Sequence, residues 1–288
     1  MSWIDIFLDY VCPSVGGLMS GLMFAAPVFD LRMALQKGSL GCLDPLPWVF
    51  MTGNCLGWNA YAYYTSDPFI LSANLPGLLL SIWLNSGAAK LQYLARWEEA
   101  KEREAEQREG DESVHSDATS QMERNELLVA VPQERYLLRM LIGWSIVLVY
   151  VGWLGRQAAS PGNIVGFIVN INLIFFYGAP LNTIKQVIRD GKSDAIHRPT
   201  MFMNWINTSF WVLYGLARRD PVIYVPNATG LALGITQGVL CLYYPSRSNS
   251  LANMSHDEND LFLSPDDDGT NSYGSDEAPA SHSSNLVL

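Results

Sequence analysis

The sequence predicts an all-α membrane protein whose seven transmembrane helices form two parallel three-helix bundles joined by a linker helix, a 3+1+3 arrangement. Three observations predict this fold: seven long runs without charged residues, an uneven division of Lys and Arg between the loops, and an internal repeat with a constant offset of 153 residues. The first gives the number of helices, the second their direction, and the third their grouping.

The seven uncharged runs are long enough to cross a bilayer, which needs about 20 residues of α-helix. They cover 10–29, 45–66, 68–89, 140–155, 157–184, 199–217 and 221–246. The fourth is short, but Leu137 and Leu138 lengthen it if Arg139 extends its charged end toward the headgroups. Because hydrocarbon offers a backbone no hydrogen-bond partners, each run is predicted to be helical. The first run lacks a preceding basic segment and is too long for a signal-peptide core, so it is taken as a span.

The Lys and Arg residues of the loops predict the orientation, because loops rich in these residues stay in the cytoplasm. With the N-terminus outside, 15 of the 18 basic residues lie on the inner side, and Arg156, Arg218 and Arg219 lie on the outer side. The reverse orientation would invert this ratio. We therefore expect a multi-pass protein with its N-terminus outside and its C-terminus in the cytoplasm. The expected location is the plasma membrane, with an intracellular membrane as the alternative.

The net charge of −10 comes from two polar segments. Of the 28 acidic residues, 12 lie in 95–135 and 8 lie in 246–288. Within the first segment, 95–110 is rich in Glu, Arg and Ala and predicts a solvated helix that extends the third span. The stretch 111–120 and the tail from 246 onward are rich in Ser, Asp, Asn and Gly without an apolar period, and they predict disorder.

These boundaries divide the chain into five regions. They are a first three-helix repeat (10–94), a charged cytoplasmic loop (95–135), a linker transmembrane helix (136–156), a second three-helix repeat (157–246) and a disordered acidic cytoplasmic tail (247–288). The lipid bilayer is the expected surrounding, and no nucleic-acid partner is expected.

The cysteines and histidines give no sign of metal or redox chemistry. Cys12, Cys42, Cys55 and Cys241 show no paired spacing, and the four histidines are scattered. No disulfide framework, metal site or cofactor is therefore predicted. Nothing in the sequence supports an enzyme, and no catalytic residues are predicted.

The internal repeat is the most informative feature of the sequence. Adding 153 to a position in the first three spans returns the same residue at many places without a gap. The matches include Ala26-Pro27 with Ala179-Pro180, Gly38 with Gly191, Asn54 with Asn207, Trp58 with Trp211, Tyr61 with Tyr214, Asp67-Pro68 with Asp220-Pro221, Asn74 with Asn227, and Gly77-Leu78 with Gly230-Leu231. The matches favour rare residue types, so they indicate a duplicated three-helix unit. Three helices reverse the chain direction, and the extra span restores it, which makes the two bundles parallel.

Four asparagines inside the spans are candidate binding residues. They are Asn54, Asn74, Asn207 and Asn227. A buried amide without a partner costs a few kcal/mol, so each needs a neighbouring helix or a polar cavity. The pairs accompany Trp58 and Trp211, and paired positions of two parallel bundles converge on the central axis. Because amides exchange hydrogen bonds with hydroxyls and indole faces cover the C–H surface of a pyranose ring, the pattern predicts a central site for a small neutral sugar.

The middle of each predicted span lacks charged residues. The eight acids outside the polar segments lie at span ends or in loops. Proton-coupled transport usually depends on a carboxylate or histidine within the membrane. The sequence therefore favours uncoupled, facilitated passage.

Prolines and a set of Tyr and Asp residues are candidate moving parts. Pro27 and Pro180 fall in the first helix of each repeat, and Pro47 and Pro199 fall early in the second. Proline kinks a helix, so all four are candidate hinges, although Pro47 and Pro199 have helix initiation as an alternative role. Pro199 lies one position off the repeat offset from Pro47.

The Tyr and Asp residues recur near the outer mouth. They are Tyr61, Tyr214, Asp67 and Asp220. Hydrogen bonds between Tyr and Asp would close an extracellular gate. The alternatives are anchoring of Tyr at the membrane interface and capping of the following helix by Asp.

The residues one helical turn before two of the prolines are candidates for setting the size limit. Met23 and Phe176 stand four residues, about one turn, before Pro27 and Pro180 and are related by the same offset. If both line the path, their bulk favours a monosaccharide such as glucose over sucrose. The alternative is that they pack against a neighbouring helix.

At these positions the sequence resembles the SWEET (MtN3/saliva) family of sugar transporters. The resemblance is carried by Pro27, Pro47, Asn54-Cys55, Trp58, Asn74, Trp211-Val212-Leu213-Tyr214-Gly215-Leu216, Arg219-Asp220-Pro221 and Pro226-Asn227. It covers roughly 17–90 and 163–244, and it implies two parallel repeats, passive transport in both directions by alternating access, and an intracellular gate formed by the four prolines. It also implies that Asn74 and Asn227 bind sugar hydroxyls beside Trp58 and Trp211.

Two other classes of protein are the alternatives. A seven-helix receptor is not expected to carry a repeat of this quality. A PQ-loop-type carrier for another small metabolite should have Pro-Gln where this chain has Pro27-Val28 and Pro180-Leu181, and the Pro132-Gln133 of this chain is assigned to the polar loop. The sequence leaves open which sugar is physiological and whether the protein is a monomer or a homo-oligomer.

Overall fold

The structure, a computed structural model, describes residues 2–110, 129–154 and 161–244. These residues form seven long helices. They are α1 (Trp3–Lys37), α2 (Leu46–Thr65), α3 (Pro68–Gly110), α4 (Pro132–Leu154), α5 (Pro161–Asp190), α6 (Arg198–Ala217) and α7 (Pro221–Tyr243). The predicted all-α fold class is confirmed.

Five of these helices, α1, α3, α4, α5 and α7, are long and apolar enough to cross a membrane. The other two, α2 and α6, have 20 residues each, and their sequences include several asparagine, threonine, tryptophan and tyrosine residues. Their polar and aromatic side chains, such as Asn54 and Tyr61 in α2 and Thr208 in α6, are buried between helices. An enclosed helix can therefore be less apolar than one that faces lipid on several sides.

The helix ends extend the predicted spans for local reasons. α1 begins with a capping box, in which Ser2 Oγ accepts from the Asp5 N–H at 3.1 Å and Asp5 accepts from the Ser2 N–H at 2.7 Å. Its residues Phe7–Val11 form a π-helical turn just before Pro13, as is common where a helix adapts to a missing N–H. The repeated glycines Gly38 and Gly191 follow α1 and α5 with φ of 71° and 64°, which is why the same residue recurs there.

The predicted polar helix over 95–110 is present, because α3 continues without interruption to Gly110. The fourth helix begins at Pro132, four positions before the predicted boundary at 136. Arg96 donates to the Val129 carbonyl, and the Tyr93 hydroxyl donates to Glu134, so the two ends of the intervening segment are held together. The predicted disordered stretches, 111–120 and the tail, lie outside the described residues.

The six helices of the two repeats form a closed ring. Within the first repeat α3 lies between α1 and α2, and within the second α7 lies between α5 and α6. Between the repeats, α1 packs against α6 and α2 packs against α5. The contacts of the first repeat therefore have equivalents in the second, as the 153-residue offset predicts: the α1–α6 contact corresponds to the α5–α2 contact. The linker helix α4 lies outside the ring against α2, α3 and α5.

The two bundles differ where the linker helix attaches. In the first, Asn85 of α3 donates to the Trp48 carbonyl, to Thr52 Oγ1 and to the Ser81 carbonyl at 2.7–3.0 Å. Gln133 of α4 joins this buried network through Asn85 Oδ1 at 2.6 Å and the Pro45 carbonyl at 2.9 Å. The placement of Pro132-Gln133 in the polar loop was therefore wrong, because this pair opens α4 and Gln133 is buried against the first bundle.

The second bundle fills the corresponding space with one large side chain. The offset relates Thr52, Ser81 and Asn85 to Trp205, Gly234 and Gly238. The Trp205 indole lies directly against both glycines, so a side chain at either position would collide with it. A polar network in one bundle thus corresponds to a single indole in the other.

Candidate functional site

A cavity of about 160 Å³ lies where the two bundles meet. This is well above the roughly 10–15 Å³ that a single water requires. It is lined by Ser20, Met23, Phe24, Asn54, Trp58, Ile70, Asn74, Leu173, Asn207, Trp211, Ile223 and Asn227. Ten of these residues form five pairs related by the repeat offset, so the cavity straddles the axis that relates the bundles. Its lining contains no charged side chain.

Two of the paired amides, Asn74 and Asn227, are held in the same way by their own helices. The side-chain amide of Asn74 donates to the Ile70 carbonyl at 2.9 Å, and that of Asn227 donates to the Ile223 carbonyl at 2.8 Å. Each bond fixes one N–H of the amide and leaves its other N–H and its oxygen for a ligand. Such amides both donate and accept hydrogen bonds.

The other amide pair is not symmetric. Ser20 Oγ donates to Asn207 Oδ1 at 2.9 Å and accepts from Trp211 Nε1 at 3.2 Å. The offset places Leu173 at the position equivalent to Ser20, so Asn54 lacks the corresponding partner. Asn54 Oδ1 is buried without a hydrogen bond from any described residue. A buried acceptor in this state costs about 1–3 kcal/mol, which a ligand hydroxyl would relieve.

Aromatic side chains close the cavity toward the ends of α2 and α6. Trp58 packs edge-on against Tyr61, and Trp211 packs in the same way against Tyr214, with ring centroids 5.7 and 5.9 Å apart. Both indoles also line the cavity. Each bundle therefore presents an indole to the cavity and a phenol behind it.

Two hydrogen bonds then connect the bundles crosswise. The Tyr61 hydroxyl donates to Asp220 Oδ2, and the Tyr214 hydroxyl donates to Asp67 Oδ2, each at 2.5 Å. The second oxygen of each carboxylate caps a helix: Asp67 Oδ1 accepts from the Phe69 and Ile70 N–H groups at the start of α3, and Asp220 does the same for Val222 in α7. Asp67 and Asp220 thus both cap a helix and bond the opposite bundle, so the two predicted alternatives occur together.

None of the four prolines lines the cavity. Pro27 is inside α1 and Pro180 is inside α5, whereas Pro47 and Pro199 occupy the first turns of α2 and α6. Helix initiation is thus a role that Pro47 and Pro199 do have. Their part in a gate remains a prediction.

Met23 and Phe176 do not occupy equivalent surroundings. Met23 lines the cavity. Phe176 packs instead against the core of the first bundle, which includes Leu31 and Cys55. The cavity wall takes Phe24 from the first repeat, a residue that the sequence analysis did not select.

Other residues were also missed by the sequence analysis. Ile70 and Ile223 stand one turn before Asn74 and Asn227, and the repeat could have identified them as a lining pair. Asn170 could not be found that way. Pro226 has no N–H for the Val222 carbonyl one turn earlier, and the side chain of Asn170 in α5 donates to this carbonyl at 3.2 Å.

Comparison with known proteins agrees with this architecture. A family model described as "Sugar efflux transporter for intercellular exchange" matches residues 13–84 and 163–249. The chain is 32% identical to "Sugar transporter SWEET1" of Drosophila pseudoobscura pseudoobscura over 120 residues. The matched region covers 42% of this chain and 52%, about half, of that relative. It is 25% identical to "Bidirectional sugar transporter SWEET3b" of Oryza sativa subsp. japonica over 253 residues, 84% of this chain and 85% of the relative.

A solved structure of a eukaryotic SWEET transporter shares the fold, with a TM-score of 0.63 and 22% sequence identity over 84% of this chain and 99% of that one. The fold, with its uncharged cavity between the repeats, is that of an integral, multi-pass membrane protein built from a duplicated three-helix bundle. The chain belongs to the SWEET (MtN3/saliva) family of sugar transporters. Members of this family are transporters rather than enzymes.

Proposed function

We propose that this protein is a facilitative uniporter that carries a monosaccharide such as glucose in both directions by alternating access. The observation that carries the proposal is the set of paired amides and indoles around an uncharged cavity. Asn74 and Asn227 offer free donors and acceptors from opposite sides, and Trp58 and Trp211 supply flat apolar faces. A pyranose ring has hydroxyls at its edge and C–H groups on its faces, so it suits both kinds of wall.

Passive transport is supported by the chemistry of the cavity lining. A proton-coupled carrier needs a group that changes its protonation during the cycle. The carboxylates that bond the tyrosines behind the two indoles, Asp67 and Asp220, also accept hydrogen bonds from a helix N-terminus. The driving force is then the sugar gradient alone.

A small sugar is supported by the dimensions and walls of the cavity. The cavity has a volume of about 160 Å³, and Met23 and Phe24 form part of its wall. A disaccharide would need these side chains to move. Sucrose is therefore the weaker candidate substrate.

The crossed Tyr–Asp bonds support an alternating-access cycle. We assign their end of the bundles to the extracellular side, with the N-terminus outside and the C-terminus in the cytoplasm of a cell whose plasma membrane holds the protein. The cavity is then closed to the outside, and outward opening requires both bonds to break. Pro27 and Pro180, inside the first helices, and Pro47 and Pro199, at the starts of the second, are the proposed hinges and intracellular gate.

Uptake of radiolabelled glucose and sucrose, in cells that lack other sugar carriers, tests this function. We expect glucose to equilibrate without accumulating, to leave preloaded cells equally well, and to be unaffected by a protonophore. Sucrose uptake should be slower. Accumulation above the external concentration that a protonophore abolishes would refute uncoupled transport, and no flux of either sugar from surface-expressed protein would refute the substrate class.

A further inference from the structure

A second cavity, of about 450 Å³, lies between the linker helix α4 and helices α2 and α5. It shares no lining residue with the central cavity. Apart from Tyr136, Arg139 and Asn172, its lining side chains are apolar or aromatic. The amide of Asn172 already donates to the Phe50 carbonyl at 3.3 Å, joining α5 to α2. We call this space the linker cleft.

The linker cleft opens to the surface that faces lipid. Ile171, which lines it, is 44% exposed. Gly143 also lines it, and a Cβ atom built there meets no atom within 4 Å. Water gains little in such an apolar space, whereas hydrocarbon fills it favourably.

The length of the linker cleft corresponds to one leaflet. Its lining residues on α4 run from Tyr136 to Val147, which at 1.5 Å per residue is about 16 Å along the helix. The hydrocarbon core of a bilayer is about 30 Å thick, so this is roughly the depth of one leaflet. An acyl chain that starts at the end of α4 nearest Pro132 would follow the cleft to the middle of the membrane.

Arg139 places a positive charge at the mouth of the linker cleft. Its guanidinium lies 5.9 Å from the centre of the Tyr136 ring, and within the described part of the chain no carboxylate forms an ion pair with it. In this it differs from Arg103 and Arg189, which form ion pairs with Glu99 and Asp190. Guanidinium groups bind phosphate through two parallel hydrogen bonds.

We propose that the linker cleft binds one anionic phospholipid, with an acyl chain between α4 and α5 and its phosphate on Arg139. In the orientation proposed above, this lipid belongs to the cytoplasmic leaflet, which carries the anionic lipids. The site is independent of the sugar cavity, so its test does not depend on transport.

Native mass spectrometry of the full-length chain tests this proposal. The protein is released from detergent in the presence of phosphatidylglycerol and phosphatidylcholine with identical acyl chains at equal concentration. We expect the chain to retain phosphatidylglycerol about five-fold over phosphatidylcholine, as expected for one basic residue near the headgroup. Arg139→Gln should reduce this ratio to near one. Gly143→Leu, which fills the cleft, should remove bound lipid of either kind.

Matched controls lie on the same helix. Arg135→Gln removes an equal charge one turn earlier, at a residue that does not line the cleft, and Gly152→Leu adds the same side chain at another exposed glycine with open space around it. Both controls should retain lipid like the unmodified chain. The proposal would be overturned if Arg139→Gln and Arg135→Gln lost the preference for phosphatidylglycerol equally. It would also be overturned if Gly143→Leu retained as much lipid as the unmodified chain, or if the unmodified chain retained no lipid. A lower oligomeric mass in Gly143→Leu would also overturn it, because a second copy would then fill the cleft. If Gly143→Leu fails to fold, the two arginine variants decide the question.

Discussion

Individual residues in the central cavity have unequal freedom to bind a ligand, although the repeat makes them formally equivalent. Ser20 occupies the oxygen of Asn207 and the indole N–H of Trp211, whereas Asn54 keeps a buried oxygen without a partner. A sugar bound in this conformation would therefore find more free acceptors on the first bundle. Of the two amide pairs in the cavity lining, the pair Asn74 and Asn227 makes matching hydrogen bonds on the two sides.

Replacing either matched amide should remove most transport. Binding at a millimolar site is worth only about 4 kcal/mol, and loss of a hydrogen bond worth roughly 1 kcal/mol, together with the partner left unpaired, takes a large part of that. We expect Asn74→Ala and Asn227→Ala to reduce glucose flux at least ten-fold at unchanged surface abundance. Asn59→Ala is the control, because Asn59 also bonds a carbonyl one turn earlier but does not line the cavity. Near-normal flux in the two test variants would make these amides structural.

The size limit should depend on Met23 and not on Phe176. Met23 lines the cavity, so Met23→Val widens it and is expected to raise the ratio of sucrose to glucose flux several-fold. Phe176 packs in the first bundle's core, so Phe176→Val should lower thermal stability, by about 1–3 kcal/mol of unfolding free energy, without changing that ratio. Tracer uptake and a melting curve separate the two effects. An unchanged ratio in Met23→Val, or a changed one in Phe176→Val, would contradict this assignment.

At the scale of helices, two devices hold the elements together: the crossed Tyr–Asp bonds between bundles and the polar network that joins α4 to the first bundle. Both use buried groups whose partners come from distant parts of the chain. Hydrogen bonds to charged groups contribute about 1.5–3 kcal/mol each. The crossed bonds are proposed to break during the transport cycle. The polar network has no counterpart in the second repeat, and it holds α4 against the first bundle.

Loss of the Tyr hydroxyls should expose the cavity from outside. We expect Tyr61→Phe and Tyr214→Phe each to increase labelling of a cysteine placed at Ile70 about ten-fold, and the double variant more, because each removes one bond that holds the closed state. A membrane-impermeant maleimide, applied to cells in a background without the four native cysteines, gives the rate. Tyr63→Phe is the control, since Tyr63 is 77% exposed and makes no bond between the bundles. Equal labelling in all variants would show that the crossed bonds do not control access.

Removal of Gln133 should destabilise the protein more than removal of an ordinary glutamine. Gln133→Ala leaves Asn85 Oδ1 buried without the Gln133 donor, which costs about 1–3 kcal/mol. The Pro45 carbonyl also loses its bond from Gln133 but keeps the one from the Trp48 N–H at 3.1 Å. In a domain of this size, each kcal/mol lowers Tm by about 2–4 °C, so we expect a fall of about 4 °C or more in detergent. Gln237→Ala, in the matching part of the second bundle, should change Tm by no more than about 1–2 °C. Equal shifts would mean that the network adds no net stability.

For the whole molecule, the division of basic residues between the loops predicts which side of the membrane each end occupies. The orientation determines which end of the cavity the Tyr–Asp bonds close. It also makes a prediction about glycosylation, because three Asn-x-Ser/Thr sequences are present. Two of them begin at Asn207 and Asn227, inside α6 and α7. The third begins at Asn253, in the tail predicted to be cytoplasmic.

The protein should therefore carry no N-linked glycan when it is expressed in a eukaryotic cell. Glycosidase treatment is expected to leave its gel mobility unchanged, and an Asn253→Gln variant should migrate like the unmodified chain. A mobility shift that Asn253→Gln abolishes would place the tail outside the cytoplasm and reverse the proposed orientation.

The sequence by itself determined the helical membrane fold, its duplication and the candidate pairs around the axis. It could do so because long apolar runs have one stable backbone conformation in lipid, and because a gapless repeat forces equivalent residues into equivalent places. Asn74 with Asn227 and Trp58 with Trp211 followed directly from this rule. The start of α4 at Pro132 was not predicted, because a helix end outside the membrane has no hydropathy signal.

Only the tertiary structure decided which residues break the symmetry. Ser20 in α1 of the first bundle bonds Asn207 in α6 of the second, and Gln133 in α4 joins a network formed by α2 and α3. Phe176 packs into the core of the first bundle, whereas Met23 lines the cavity. The offset fixes where a backbone position lies, but the partner of a side chain depends on what the adjacent helix carries there. Because Leu173 cannot hydrogen-bond and Gly234 and Gly238 leave room for Trp205, equivalent positions acquire different contacts that no comparison of the two repeats alone could assign.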